Sequence, residues 1–168
     1  MAIVQATDFT ENALYDIALT SQVEFELPAF IDVIEKDRLQ ELFGCELYDL
    51  FVADLTLNTP QEPQTQIYLD VFNAFCSDDD GRSYGIKDML MGFIYFEWHR
   101  YNQNKSVSSG IVRMDSENSR LANMASANLY DKYNRAIESF KAIRYYLCKN
   151  NDVYPTYKGV DKCYSSWI

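Results

Sequence analysis

Apolar positions along most of this chain recur at helical spacing, with polar residues filling the intervals. Leu27, Phe30, Ile31 and Ile34, then Leu39, Leu42 and Phe43, follow the i, i+3, i+4 template of an amphipathic helix. Pro28 stands where a first-turn proline is tolerated, and Gly44 stands where a helix-ending glycine belongs. The pattern resumes at once over 45–55, with Leu47, Leu50, Phe51 and Leu55 on one face, before Pro60 and Pro63 break it. A third helix is predicted over 65–76, through Ile67, Tyr68, Val71, Phe72 and Phe75. Asp78, Asp79, Asp80 and Gly81 then read as a turn.

The next helix, over 86–101, carries Ile86, Met89, Leu90, Phe93, Ile94 and Tyr101 on one stripe and Met91, Tyr95 and Trp98 on another. A helix apolar nearly all round belongs at the centre of a fold. Gly92 in its interior costs about 1 kcal/mol of helix propensity, which close approach of another helix would offset. Helical spacing fails over 105–119, a Ser-rich stretch with Val107, Ile111 and Met114 in weak alternation, so a long loop or small hairpin is predicted there. Asp115 or Ser116 could cap the helix that follows. In that last helix Leu129, Tyr133, Ala136, Phe140, Ile143 and Leu147 recur at steps of 4, 3, 4, 3 and 4, the seam of a helical bundle. Asp131 with Arg135 and Glu138 with Lys141 are placed on its outer face as short-range ion pairs.

The two ends lack this periodicity. Residues 1–24 are mostly polar and read as an N-terminal arm; residues 25–149 form the bundle; residues 150–168, with Pro155 and Gly159, read as a C-terminal arm. Tyr154, Tyr157, Tyr164, Trp167 and Ile168 cannot build a core within so short a tail, so it must lie on its own bundle or on another molecule. The expected architecture is therefore one all-α domain, a bundle of about four to five helices with a long loop and extended arms.

A length of 168 residues suits a single domain, and 48% hydrophobic residues argue against disorder. No apolar run approaches the roughly 18–20 residues of a membrane-spanning helix, and residues 1–10 lack the basic start and apolar core of a signal peptide. The net charge of −10 hides a division: residues 1–80 carry −15 and residues 81–168 carry +5. Such polarity suits a subunit whose acidic part meets a neighbour's basic part, or an acidic half that simply faces solvent.

Sites for chemistry are missing from the pattern. Cys45, Cys76, Cys148 and Cys163 have no Cys-x-x-Cys spacing and only His99 to join them, which argues against structural zinc and reads as reduced thiols. His99 has no nucleophile motif to serve and no Glu three residues before it, so packing or surface placement is its expected role. An EF-hand register with Gly81 at position 6 would put Cys76 at position 1 and Lys87 at position 12, where acidic ligands are needed. None of the 6 glycines opens a phosphate-binding loop. No basic run or reading motif supports sequence-specific nucleic-acid binding, although an acidic wall would let DNA slide through a pore without arrest. No enzyme activity, metal or cofactor is expected. An undetected enzyme would rest on His99 and Glu97.

Leu39-Gln40-Glu41-Leu42-Phe43-Gly44 followed by Glu46-Leu47-Tyr48, and a long loop before a final helix ending Tyr145-Tyr146-Leu147-Cys148-Lys149-Asn150 and then Tyr154-Pro155, mark a resemblance. From about Thr7 to about Tyr157 the chain resembles small proteins encoded beside capsid and portal genes in tailed phages of gut Bacteroidetes, including the crAss-like group. In layout it is similar to the head–tail connector (adaptor or head-completion) proteins of tailed bacteriophages. The resemblance implies a structural virion protein, assembled in the host cytoplasm into a ring, often twelve-fold, beneath the portal. DNA would pass non-specifically through the centre, and the loop and arms would clasp neighbouring subunits, the portal protein or other neck and tail proteins. On that reading Val107, Ile111, Met114, Tyr154, Tyr157, Tyr164, Trp167 and Ile168 are the expected inter-subunit or portal contacts. The competing reading is a phage regulatory binding module that sequesters a host protein through its acidic N-terminal half.

Overall fold

The computed structural model describes residues 3–11, 13–18, 20–58, 60–77, 81–103, 106–107, 110–111 and 119–159. Their elements, in order, are α1 (Asp8–Glu11), α2 (Ser21–Asp54), α3 (Gln66–Phe72), β1 (Phe75–Ser77), β2 (Gly81–Ser83), α4 (Ile86–Gln103), β3 (Ser106–Val107), β4 (Gly110–Ile111) and α5 (Ser119–Lys149). The architecture is mostly helical, as the periodicity predicts; the described residues form five helices and two short antiparallel hairpins, of which β1–β2 is not foreseen by the spacing.

The helix α2 starts at the Thr20 cap, whose side chain accepts a hydrogen bond from the Val23 N–H. It contains two helical runs joined at a kink at Gly44, where φ is 72° and ψ is 170°. That left-handed φ is open to glycine at no steric cost, so the break falls where the sequence places a helix end. Leu27, Ile31, Leu39, Leu42 and Phe43 before the kink and Leu47, Phe51 and Leu55 after it are all buried. Asp54 organises the turn that follows: its carboxylate accepts from the backbone N–H groups of Gln64 (2.9 Å) and Thr65 (2.8 Å) at the start of α3.

The third helix is shorter than the spacing suggests. It ends at Phe72, and Phe75 belongs instead to β1, which pairs antiparallel with β2 in the register Phe75↔Ser83 and Ser77↔Gly81. Tertiary packing decides the difference, since the Phe75 ring lies 5.3 Å from that of Tyr146 on α5. The β1–β2 hairpin is also fastened to α5 by the Tyr84 N–H, which donates to the buried Ser139 hydroxyl at 3.0 Å.

The core centres on α4. Ile86, Met89, Leu90, Met91, Phe93, Ile94, Phe96 and Trp98 are all buried, with partners on several sides. Its closest neighbour is α5. A Cβ built on Gly92 would lie 2.9 Å from the Ala136 Cβ and 3.0 Å from the Lys132 carbonyl oxygen, so the glycine marks the close helix approach that its position predicts. From α5, Ala136, Phe140, Ile143 and Leu147 of the seam are buried, and Phe93 meets Tyr133 and Phe140 edge-on at 5.7 and 6.1 Å. Arg135 leaves the expected outer face. It reaches across to Asp88 on α4 (2.9 and 3.2 Å), because a partly buried, two-point carboxylate contact is better than an exposed one along the helix.

Over 105–119 the structure places a small hairpin, β3 with β4, in the register Ser106↔Ile111 and Val107↔Gly110. The proposed caps Asp115 and Ser116 lie outside the described residues. No helix among the described residues is long and apolar enough to cross a membrane.

Both ends, where described, are folded onto the bundle. Ile3, Val4, Phe9, Tyr15 and Ile17 are buried, so residues 3–17 are part of the core rather than a projecting arm. Sparse apolar residues suffice because they are large and each finds its own pocket, without needing a period. At the other end a run of turns (Asn150 N–H to Tyr146, Tyr154 N–H to Asn150, Tyr157 N–H to Tyr154) carries the chain off α5 and seats Tyr154 and Tyr157, both buried.

Candidate functional site

The densest polar cluster lies where the N-terminal segment crosses α4 and α5. Tyr15, buried, sends its hydroxyl to the Asp88 carboxylate at 3.2 Å. Asp88 also takes both hydrogen bonds from Arg135, whose guanidinium lies 3.4 Å from the centre of the Tyr84 ring. Burial and the neighbouring Asp88 charge push the Tyr15 hydroxyl well above the ordinary tyrosine range, so it stays a donor. Both Asp88 oxygens accept hydrogen bonds from other members of this group, and the result is a clamp holding three segments together.

About two to three turns along α4, at Tyr95 and His99, a second group follows. The Lys132 ammonium sits 4.2 Å from the centre of the Tyr95 ring, and Tyr95 in turn packs 4.3 Å from the His99 ring. Burial, with the Lys132 charge second, lowers the His99 pKa, which keeps the imidazole neutral. Burial likewise lowers that of Lys132, against the pull of Asp16. The Nε2 of His99 is buried without a hydrogen-bond partner. His99 is thus a packed ring on an aromatic and cationic ledge.

On the α2 side, Arg38 bridges Glu41 (2.9 Å) and Glu97 (3.2 Å) while its guanidinium lies 4.8 Å from the centre of the Phe93 ring. Part of the charge division is resolved within the chain: basic groups of the second half reach acids of the first in Lys87 with Asp8 (2.8 Å) and Lys158 with Glu46 (2.7 Å). Glu24, Asp32, Asp37, Glu46 and Asp49 nevertheless keep the surface of α2 acidic and exposed.

The eight expected contact residues separate into three groups. Tyr154 and Tyr157 are buried in their own subunit, the Tyr154 hydroxyl donating to the Ile67 carbonyl, and this corrects their reading as contacts to other molecules. Packing against α3 and α5 gives these rings an internal partner that the tail sequence does not reveal. Val107 and Ile111 sit on the β3–β4 hairpin, in adjacent rungs of its ladder. Met114, Tyr164, Trp167 and Ile168 lie outside the described residues, as does Cys163. Cys45, Cys76 and Cys148 are exposed free thiols. Among the described residues no group of three or more His, Cys, Asp and Glu side chains converges as a metal site would.

Two features escape the sequence reading. The first is Glu35, fully buried, whose Oε1 accepts the Ile3 N–H at 2.8 Å. Its place between Ile34 and the 38–39 positions, on the apolar side of α2, is the one signal that could have found it. The second is an exposed apolar stripe on α2: Phe25 is 86% and Val33 57% exposed, with Pro28 and Ala29 exposed between them.

No protein-family model, no curated protein and no solved structure matches the chain.

Proposed function

We propose that this chain is a non-enzymatic structural protein of a tailed-phage virion, a head–tail connector subunit that joins other copies in a ring beneath the portal and lets DNA pass through. The observation that carries the reading is the α2 stripe. A phenylalanine 86% exposed on a helix, in line with Ala29 and Val33, is left uncovered by the described residues and suits a subunit contact. Acids flanking that stripe, Glu24, Asp32 and Asp37, fit a neighbour's basic face and discourage arrest of DNA. The β3–β4 hairpin, between α4 and α5 in the chain, is the element proposed to clasp a neighbour.

Mass spectrometry of purified virions tests the proposal. The chain is expected in particles at several copies per portal ring, and F25D is expected to lower that copy number while leaving the isolated subunit folded. Absence from particles overturns it. The exposed acids of α2 also favour the second reading, a module that binds a host protein. Recovery of one stoichiometric host protein on the tagged chain, with no virion protein, would establish that reading instead.

A further inference from the structure

The N-terminal segment buries Ile3, Val4, Phe9, Tyr15 and Ile17, yet it contributes only the short α1 and pairs with no strand. Its backbone hydrogen bonds are local: Asp8 to Gln5, Phe9 to Ala6, Thr10 to Thr7, and Ile17 back to Phe9. Polar ties to the body include Lys87 with Asp8 and the Tyr15 hydroxyl with Asp88, both partly exposed, and the Ile3 N–H with Glu35, which is buried. The last is unlike the others. Glu35 has no solvent exposure, and its Oε2 has no hydrogen-bond partner among the described residues.

A carboxyl group removed from water resists ionisation, because the charge loses hydration that a few backbone N–H groups replace only in part. The backbone N–H groups of Ile3 and Val4 favour the ionised form. Asp32, one turn earlier on α2, and the Tyr48 hydroxyl beyond the Gly44 kink lie close enough to couple with it, and Asp32 opposes the charge. Burial outweighs the favourable contacts and holds the Glu35 carboxyl up at about 7.

We propose that residues 3–11 and 13–17 form a strap closed over the buried Glu35, and that ionisation of this carboxyl loosens the strap's hold on the bundle. The inference does not depend on the connector reading. Opening the strap admits water to Glu35 and returns it to the ordinary carboxylate range near 4.5. The closed state therefore holds a proton that the open state releases. Closure is fully supported below that ordinary value and weakens as pH rises through the window up to about 7, by at most about tenfold per pH unit, with no further change above it. An open strap exposes its own buried apolar side chains and the surface they covered.

Hydrogen exchange on the full chain, corrected for intrinsic rates and followed between about pH 5 and pH 8.5, tests this. In the wild type, protection over residues 3–17 is expected to fall by up to about tenfold per unit to about pH 7 and then level off. Amides of α4 and α5 around Phe93 and Ile143 are expected to remain better protected throughout, and in E35Q the strap profile is expected to be flat. Strap protection in the wild type that does not change with pH overturns the proposal. So does strap exchange with the same protection as α4 and α5, or a slope that persists in E35Q. Should E35Q fail to fold, the wild-type profile alone decides.

Discussion

The two ends of the chain were both expected as arms, and, where described, both lie on the bundle, but they are held by different physics. The N-terminal segment is anchored beside a buried ionisable group, with Ile3 bonded to Glu35 and Tyr15 to Asp88. The tail is anchored by neutral rings: Tyr154 bonds to the Ile67 carbonyl and packs against Tyr146, and Tyr157 is buried beside it. In the proposed strap the first attachment depends on the protonation of Glu35, whereas nothing ionisable holds the second in the same way. A chain with one fixed end and one pH-dependent end, as proposed above, keeps a stable fold and offers a new surface when its surroundings change.

The comparison can be broken most severely at the tail. Tyr154→Ala removes a fully packed ring and its hydrogen bond, and should cost about 3–5 kcal/mol in denaturant unfolding at any pH. At the other end the expected loss depends on pH. Wild-type stability should decline by an amount on the order of 3 kcal/mol as pH rises from about 4.5 to about 7, because the native state keeps the Glu35 proton that the unfolded chain gives up. Urea melts across that range should show the decline in the wild type and lose its Glu35 component in E35Q.

Gly92→Ala probes the floor on which Tyr15 rests, since a Cβ there would lie 3.5 Å from the Tyr15 hydroxyl and closer still to Ala136. Overpacking costs about 1–3 kcal/mol against roughly 1 kcal/mol of helix propensity gained, so thermal melting should show net destabilisation. Tyr15→Phe keeps the ring and deletes only the bond to Asp88; a loss of about 1 kcal/mol is expected, with faster exchange at the strap. Lys158→Ala breaks an exposed ion pair with Glu46 and should change stability by less than about 0.5 kcal/mol. A larger effect there would mean that charge, rather than tyrosine packing, fixes the tail.

Much of the bundle is legible along the chain, and for a definite reason. The seam of α5, the break at Gly44 and the glycine at the α4–α5 crossing each follow from local geometry, which a single helix expresses in its own spacing. The third helix shows where this stops. Phe75 continues the apolar period of Val71 and Phe72, yet it is drawn into β1 beside Tyr146, a residue 71 positions away. The polar clamp escapes for the same reason: Tyr15, Asp88 and Arg135 are remote in sequence, and no spacing links them.

Helical period and charge are properties of neighbouring residues, so the all-α class, the order of the principal helices and the acidic first half can be read along the chain. That the described parts of the ends fold inward, that Arg135 abandons its helix face for Asp88, and that Glu35 is buried emerge only once the chain is folded. Those outcomes depend on which side chains of distant segments reach one another, and on whether water is excluded where they meet.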